Sequence, residues 1–389
     1  MRTRKTQRGR GILLACLAAC AMTVWASPAL ADNAKNAVYV QSNTSPFNSV
    51  LVFDRNPDGT LTPAGSVLTG GEGKPAGNPP LGIPFLDTAG SVTLSNNGKN
   101  LFVVNAGDNT VSSFRVGSSG LQLADVEPSF GSRPASSATN GKLLYVMNSD
   151  TGSASISGYR IGSQGELTPI PGSVRPTSDP ANGLPAQIVF DNTGKVLTVS
   201  ERFAGGGNGL LDTFLIGPDG TPGPVATHPS DETPYGMAYT HRNNILTVTN
   251  EHASDPFQST ASTFNVTRHG EVTHIDTDPT NAGAACWNQI TNDDKYLLIT
   301  SPFSFAINSF RIETNGSLTP VNGTSIVYTS DGLTLDESLS HESKYLYVLV
   351  SDFFASSKLQ EFRVNSDGTV TFIGETPPFD GSASGAAAW

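Results

Sequence analysis

Apolar and polar residues alternate along this chain in short runs, and the runs come in pairs. An apolar run such as "LFVVN", "LLYVMN" or "YLYVLV" is followed by a second run that alternates with period two around an aromatic, as in "VSSFRV", "ISGYRI", "LDTFLI" and "LQEFRV". Such alternation marks strands packed on one face. Seven times the aromatic is followed six positions later by a glycine: Phe53/Gly59, Phe114/Gly120, Tyr159/Gly165, Phe214/Gly220, Phe264/Gly270, Phe310/Gly316 and Phe362/Gly368. Successive aromatics lie 61, 45, 55, 50, 46 and 52 residues apart, so the spacing is fixed inside the unit and drifts between units. The glycines fall in turns such as "PDGTL", "SQGEL" and "SDGTV", where they supply the positive φ of a tight hairpin.

Upstream of most pairs lies a further short strand of small residues, among them "SVTLS", "PAQIVF", "YGMAYT" and "AACWNQI". Four strands per unit and seven units predict an all-β fold, a seven-bladed β-propeller with four-stranded blades. The first unit lacks its inner strand, and the last is followed by an orphan small-residue run, "GSASGAAAW". Residues near Gly385 to Trp389 are therefore expected to pair with the strand around Val38 to Val40, so that the two ends share one blade and close the ring.

The N-terminus reads as a targeting segment. Arg2, Arg4, Lys5, Arg8 and Arg10 form a basic region, Gly11 to Trp25 an apolar one too short to span a bilayer, and Ala29-Leu30-Ala31 a cleavage site. The expected organisation is a signal peptide over 1–31 and a single propeller domain over 32–389, exported to the periplasm or the exterior. A competing pattern, Leu17-Ala18-Ala19-Cys20, would instead anchor the chain as a lipoprotein at Cys20. Cleavage after Ala31 leaves Cys286 as the single cysteine and no intramolecular disulfide. Of 23 basic and 34 acidic residues, 18 and 34 follow Ala31, a net charge near −16. That surface repels nucleic acid and anionic membranes, and no basic stripe with interleaved aromatics offsets it. No integral membrane span, no cofactor and no metal site are expected, and the chain should be a monomer. Residues 54–59 fit the opening of a calcium loop, but Gly65 stands where its bidentate carboxylate belongs.

Candidate chemistry gathers where the second strand of each blade ends, because those loops and the connectors between blades open on one face. Ser42, Asn105, Asn148, Glu201, Asn250 and Ser301 occupy that position, and Glu201-Arg202 and Glu251-His252 come from adjacent blades. Glu251, His252 and Glu201 are the candidate proton-transfer groups, and Arg202, Asn250 and Tyr235 the candidate ligand-binding groups. The same side chains could equally cap strands and solvate loops. Two Gly/Pro-rich insertions, 65–90 and 171–185, are expected to add to this face.

The recurring "GKLLYVMN" (Gly141 to Asn148), with "FRV"- or "YRI"-type strands and "DGTL"-type turns, resembles the seven-bladed lactonase family of bacterial 6-phosphogluconolactonases and fungal carboxymuconate lactonizing enzymes, and is most similar to an exported bacterial branch. The likeness runs from Ala37 to Trp389. It implies a lactone or carbohydrate-derived ligand and a catalytic acid at Glu251, within the retained Asn250-Glu251. Three family positions depart: Pro185-Ala186 stands for Pro-His, Pro234-Tyr235-Gly236 for Pro-Arg-His, and Pro302 for an arginine. Replacing arginine removes both a permanent charge and a bidentate fork, which argues against a phosphorylated or multiply carboxylated substrate. Two functions are thus expected to compete: a metal-independent lactone hydrolase working through Glu251, and a non-catalytic propeller that binds a small ligand or a protein on its rim and channel face.

Overall fold

The computed structural model describes residues 36–74 and 83–389. The expected signal peptide lies outside the described residues, as does part of the first insertion. Seven antiparallel sheets form the blades of the predicted ring, each with a path of four strands. Blade four is representative: Pro185–Phe190 lies innermost, followed outward by Val196–Glu201, Leu210–Leu215 and Ala226–Pro229. In blades three, six and seven a short additional strand also pairs with the third, continuing the outer edge.

The ring closes as the sequence predicts. Ser384–Ala388 is the inner strand of the first blade, pairing Ala388 with Val38, Ala387 with Tyr39 and Ala386 with Val40. Trp389 extends the closure: its amide donates to the Ala37 carbonyl at 3.1 Å and its ring stacks on His341 at 4.1 Å.

The core lies between blades, where the faces of adjacent sheets meet. Tyr39 and Val50 of the first blade pack with Val103 and Phe114 of the second, and Phe102 and Val104 of the second with Val146 and Tyr159 of the third. All seven repeated aromatics are buried in these seams. The seven paired glycines all have positive φ, and most dock on the preceding blade. The hydroxyl of Tyr347 donates to the Gly59 carbonyl at 2.9 Å, Ser113 to Gly165 at 2.7 Å, Thr213 to Gly270 at 2.9 Å and Thr263 to Gly316 at 2.8 Å. A side chain on Gly59 would enter the Tyr345 ring at 2.2 Å. The fixed aromatic-to-glycine spacing therefore joins a blade's own core to its contact with its neighbour.

Candidate active site

One face carries the loops between second and third strands together with the connectors from each outer strand to the next inner one. There three elements bring a buried ionic cluster together. Arg202 follows Val196–Glu201, Glu251 follows Ile245–Asn250, and Asp87 precedes the inner strand Val92–Leu94. Arg202 donates from Nη1 to Asp87 Oδ2 at 2.5 Å and from Nη2 to Glu251 Oε2 at 2.7 Å. The Tyr235 hydroxyl donates to the other Asp87 oxygen at 3.2 Å. The guanidinium also lies 5.1 Å from the Tyr235 ring centroid and 5.3 Å from that of Phe203, within cation–π range.

The supports of this cluster are themselves bonded. Trp287 meets Tyr235 edge-on at 5.2 Å, and its indole N–H donates to the Thr88 carbonyl at 3.1 Å, beside Asp87. Buried Lys74 donates to the carbonyls of Ile83 at 2.7 Å and Phe85 at 3.4 Å, holding the connector that carries Asp87. Arg133, also buried and at a left-handed φ of 57°, uses Nη1 on the Ser149 carbonyl and hydroxyl. Its Nε and Nη2 have no partner, and it interacts electrostatically with Asp87, Arg202 and Tyr235.

Electrostatics separates the members. Burial raises the Glu251 pKa and prevails over the opposing pull of Arg202, with the Asp87 charge adding to the rise. A carboxyl moved upward approaches the range in which it accepts and returns protons near neutrality. Burial works against the Arg202 charge, yet Asp87 and Glu251 outweigh it and raise its pKa. Lys74 is pushed down to about 8, by burial first and then by Arg133.

The structure brings Arg202, Tyr235 and Glu251 together and directs the other sequence candidates elsewhere. The cationic partner of Glu251 is Arg202, supplied by blade four. Glu201 accepts bonds from the Ser178 hydroxyl and the Asp179 amide. His252 bonds Asp231 at 3.1 Å, and that contact is the main cause of its raised pKa. Asn250 donates to Thr260 at 3.0 Å and Ser262 at 2.8 Å, and Asn105 makes the equivalent pair of bonds with Thr110 and Ser112, so these two asparagines cap their hairpins. Cys286 is a buried thiol whose pKa burial pushes well up, without nucleophilic character. Sequence reasoning missed Asp87, Arg133 and Lys74. The available signal was the presence of Lys74 and Asp87 within an otherwise Gly/Pro-rich insertion.

The axial channel holds a cavity of about 1600 Å³ reached from the opposite end, where Asn140, Asn192, His241 and Trp389 lie. It stops inward at Gly90, Trp287 and Asp336. Its walls mix amide, hydroxyl and apolar side chains with Arg160, Asp191, Lys195, His241 and Asp336, and burial pushes the Asp336 carboxyl up to about 8. Among the described residues no group of three or more His, Cys, Asp or Glu could hold a metal ion, and no helix is long and apolar enough to cross a membrane.

Comparison with known proteins agrees with this architecture. The sequence profile of the seven-bladed β-propeller lactonases matches residues 33–178 and 91–258, which together span more than half of the chain. No curated protein matches. The structure is similar to a Pseudomonas aeruginosa periplasmic gluconolactonase, with 16% identity, a TM-score of 0.67, and 88% of this chain and 97% of that one covered. A Bacteroides fragilis protein provisionally assigned as a 6-phosphogluconolactonase shares 18% identity at a TM-score of 0.64, covering 90% and 97%. A hypothetical selenium-binding protein from Sulfolobus tokodaii reaches 0.65 at 11% identity, covering 93% and 97%. At these identities the likeness is one of fold.

Proposed function

Because the chain belongs to the seven-bladed β-propeller lactonases, we propose that it hydrolyses a small lactone at the Arg202–Glu251 cluster, with no metal. The observation that carries this reading is a buried Glu251 with a raised pKa, held at 2.7 Å by a guanidinium that Asp87 holds in turn. Glu251 takes a proton from water as its oxygen bonds to the lactone carbonyl carbon. The carbonyl becomes a tetrahedral oxyanion, which the Arg202 guanidinium beside Glu251 stabilises. Collapse breaks the ring C–O bond, and Glu251 returns its proton to the leaving oxygen, giving a hydroxy acid.

We further propose that residues 1–31 direct export, which would keep the enzyme from cytosolic sugar phosphates. One observation favours the non-catalytic alternative: both terminal nitrogens of Arg202 are already used on Asp87 and Glu251, as in a purely structural network. The test is hydrolysis of a panel of aldonolactones and aryl lactones by the purified protein and by Glu251→Gln. Turnover should fall by roughly 10² to 10⁴ with the melting temperature nearly unchanged, the usual worth of positioned proton transfer. Undiminished activity in Glu251→Gln would refute the assignment.

A further inference from the structure

The loops around the ionic cluster expose phenylalanines that no core requires. Phe47 is 70% exposed, Phe130 50%, Phe257 62%, Phe303 52%, Phe353 61% and Phe354 40%. All six lie in strand-two-to-three loops or blade connectors of the same face. Four of them, Phe257, Phe303, Phe353 and Phe354, follow one another along a path from blade to blade. Gly283 sits between Phe257 and Phe303, since a side chain there would lie 2.9 Å from each. Phe305 meets Phe353 at 5.9 Å between ring centroids, and Phe354 meets Phe85 at 5.5 Å. Phe85 is two residues from Asp87, and Phe203 lies against the Arg202 guanidinium.

A second observation is the backbone. Phe130, Phe305, Phe353 and Phe354 have φ values of 55°, 53°, 44° and 71°. The left-handed region is unfavourable for bulky residues, and where it persists it clusters at ligand clamps and active sites. Phe130 and Phe354 each touch one buried ring, Tyr159 and Phe85, yet they and Phe353 leave 40–61% of their surface in water, more than packing needs, so their use lies on the surface.

We propose that this aromatic arc is the subsite for an apolar substituent, and that the substrate is a lactone whose ring carries an alkyl, acyl or aryl chain. The inference rests on the proposed lactonase reading and names its substrate class. The ring carbonyl sits at the charged centre, and the chain lies outward over Phe303, Phe353 and Phe354. The cluster supplies polar contacts only at the centre, which matches a molecule polar at one end. The chain's acidity disfavours the competing occupant, an anionic membrane.

Two measurements test this separately from catalysis. The first is binding of γ-lactams, which are not hydrolysed, carrying methyl or octyl chains. The octyl compound should bind at least tenfold more tightly, since each fully buried CH₂ is worth about a fourfold gain at ~0.8 kcal/mol. The advantage should shrink to under threefold in Phe303→Ser/Phe353→Ser, whose changes are on exposed rings. The second is kcat/KM over γ-lactones from methyl to octyl, which should rise with chain length in the wild type and flatten in that variant. Hydrolysis without chain-length preference overturns the inference and leaves the catalytic reading intact. Lactam binding with the octyl preference but no hydrolysis of any lactone supports the apolar subsite and overturns the catalytic reading. A double variant that keeps the octyl preference while losing adhesion to phosphatidylglycerol vesicles overturns the inference in favour of that other occupant.

Discussion

Replacing Arg202 by methionine tests whether the ionic cluster is the electrostatic unit its geometry describes. The side chain is 4% exposed and is shared by two carboxylates that are themselves 12% and 16% exposed. Methionine fills much of the volume but leaves Asp87 and Glu251 buried without their cation. Removing one member of a buried pair costs about 3–5 kcal/mol, and two stranded carboxylates place Arg202→Met at the upper part of that range near pH 8. The cost should depend on pH with a definite sign. Glu251 is already raised by burial, and the substitution removes the neighbour that lowers it. Its folded pKa then climbs further above the unfolded value, so the folded state holds a proton that the unfolded state releases. The penalty is full at high pH and shrinks as pH falls towards the unfolded carboxyl range near about 4. Urea midpoints and slopes at pH 5 and pH 8 measure it, and adding Glu251→Gln should restore roughly 1–2 kcal/mol at pH 8 by removing one stranded charge. A loss below about 1 kcal/mol at pH 8, or one equally large at pH 5, refutes the reasoning.

Three further outcomes are expected. Burial first and Glu201 second push Asp212 up to about 8, so the fold keeps its proton between the unfolded pKa and 8 and loses stability as pH rises through that window. Asp212→Asn should match the wild type at pH 5 and exceed it by a few kcal/mol at pH 9; parallel denaturation curves at both pH values would contradict this. Deleting residues 384–389 removes the closing strand and should cost several kcal/mol, with an unaltered melting temperature as the opposing result. Gly59→Ala should destabilise by well over 2 kcal/mol because the added methyl meets Tyr345, whereas Gly141→Ala, at φ 85° in open space, should cost only about 1 kcal/mol of backbone strain; equal effects would show that the docking against the preceding blade is unimportant.

The fold was legible because its information is local and repeated. A turn glycine six residues after a buried aromatic encodes both the hairpin and the seam, and "GAAAW" could pair with nothing but the unmatched first blade. The site was legible only in part. Strand ends pointed to Arg202 and Glu251, but Glu201 closes its strand while Arg202 begins the loop, and His252 turns away from Glu251 at a left-handed φ of 52°. The sequence does not say which member of each pair faces the axis. Asp87 lies 115 residues from Arg202 and Arg202 lies 49 from Glu251, so no spacing rule joins them. The aromatic arc was equally hidden, because a lone phenylalanine after a strand end reads as core until its loop is seen on the surface.

The glycine contacts bear on how the molecule comes apart. Six of the seven tie a blade to the one before it, and Gly59 of the first blade reaches Tyr345 and Tyr347 of the last, across the junction made by the C-terminal strand. An open array of repeats can fray from its ends, since its terminal units lack a neighbour. Here no unit is terminal, and the loss of any blade strips partners from two others at once. Unfolding should therefore be cooperative around the whole circle, with amide exchange in the inner strands of all seven blades sharing a single opening free energy.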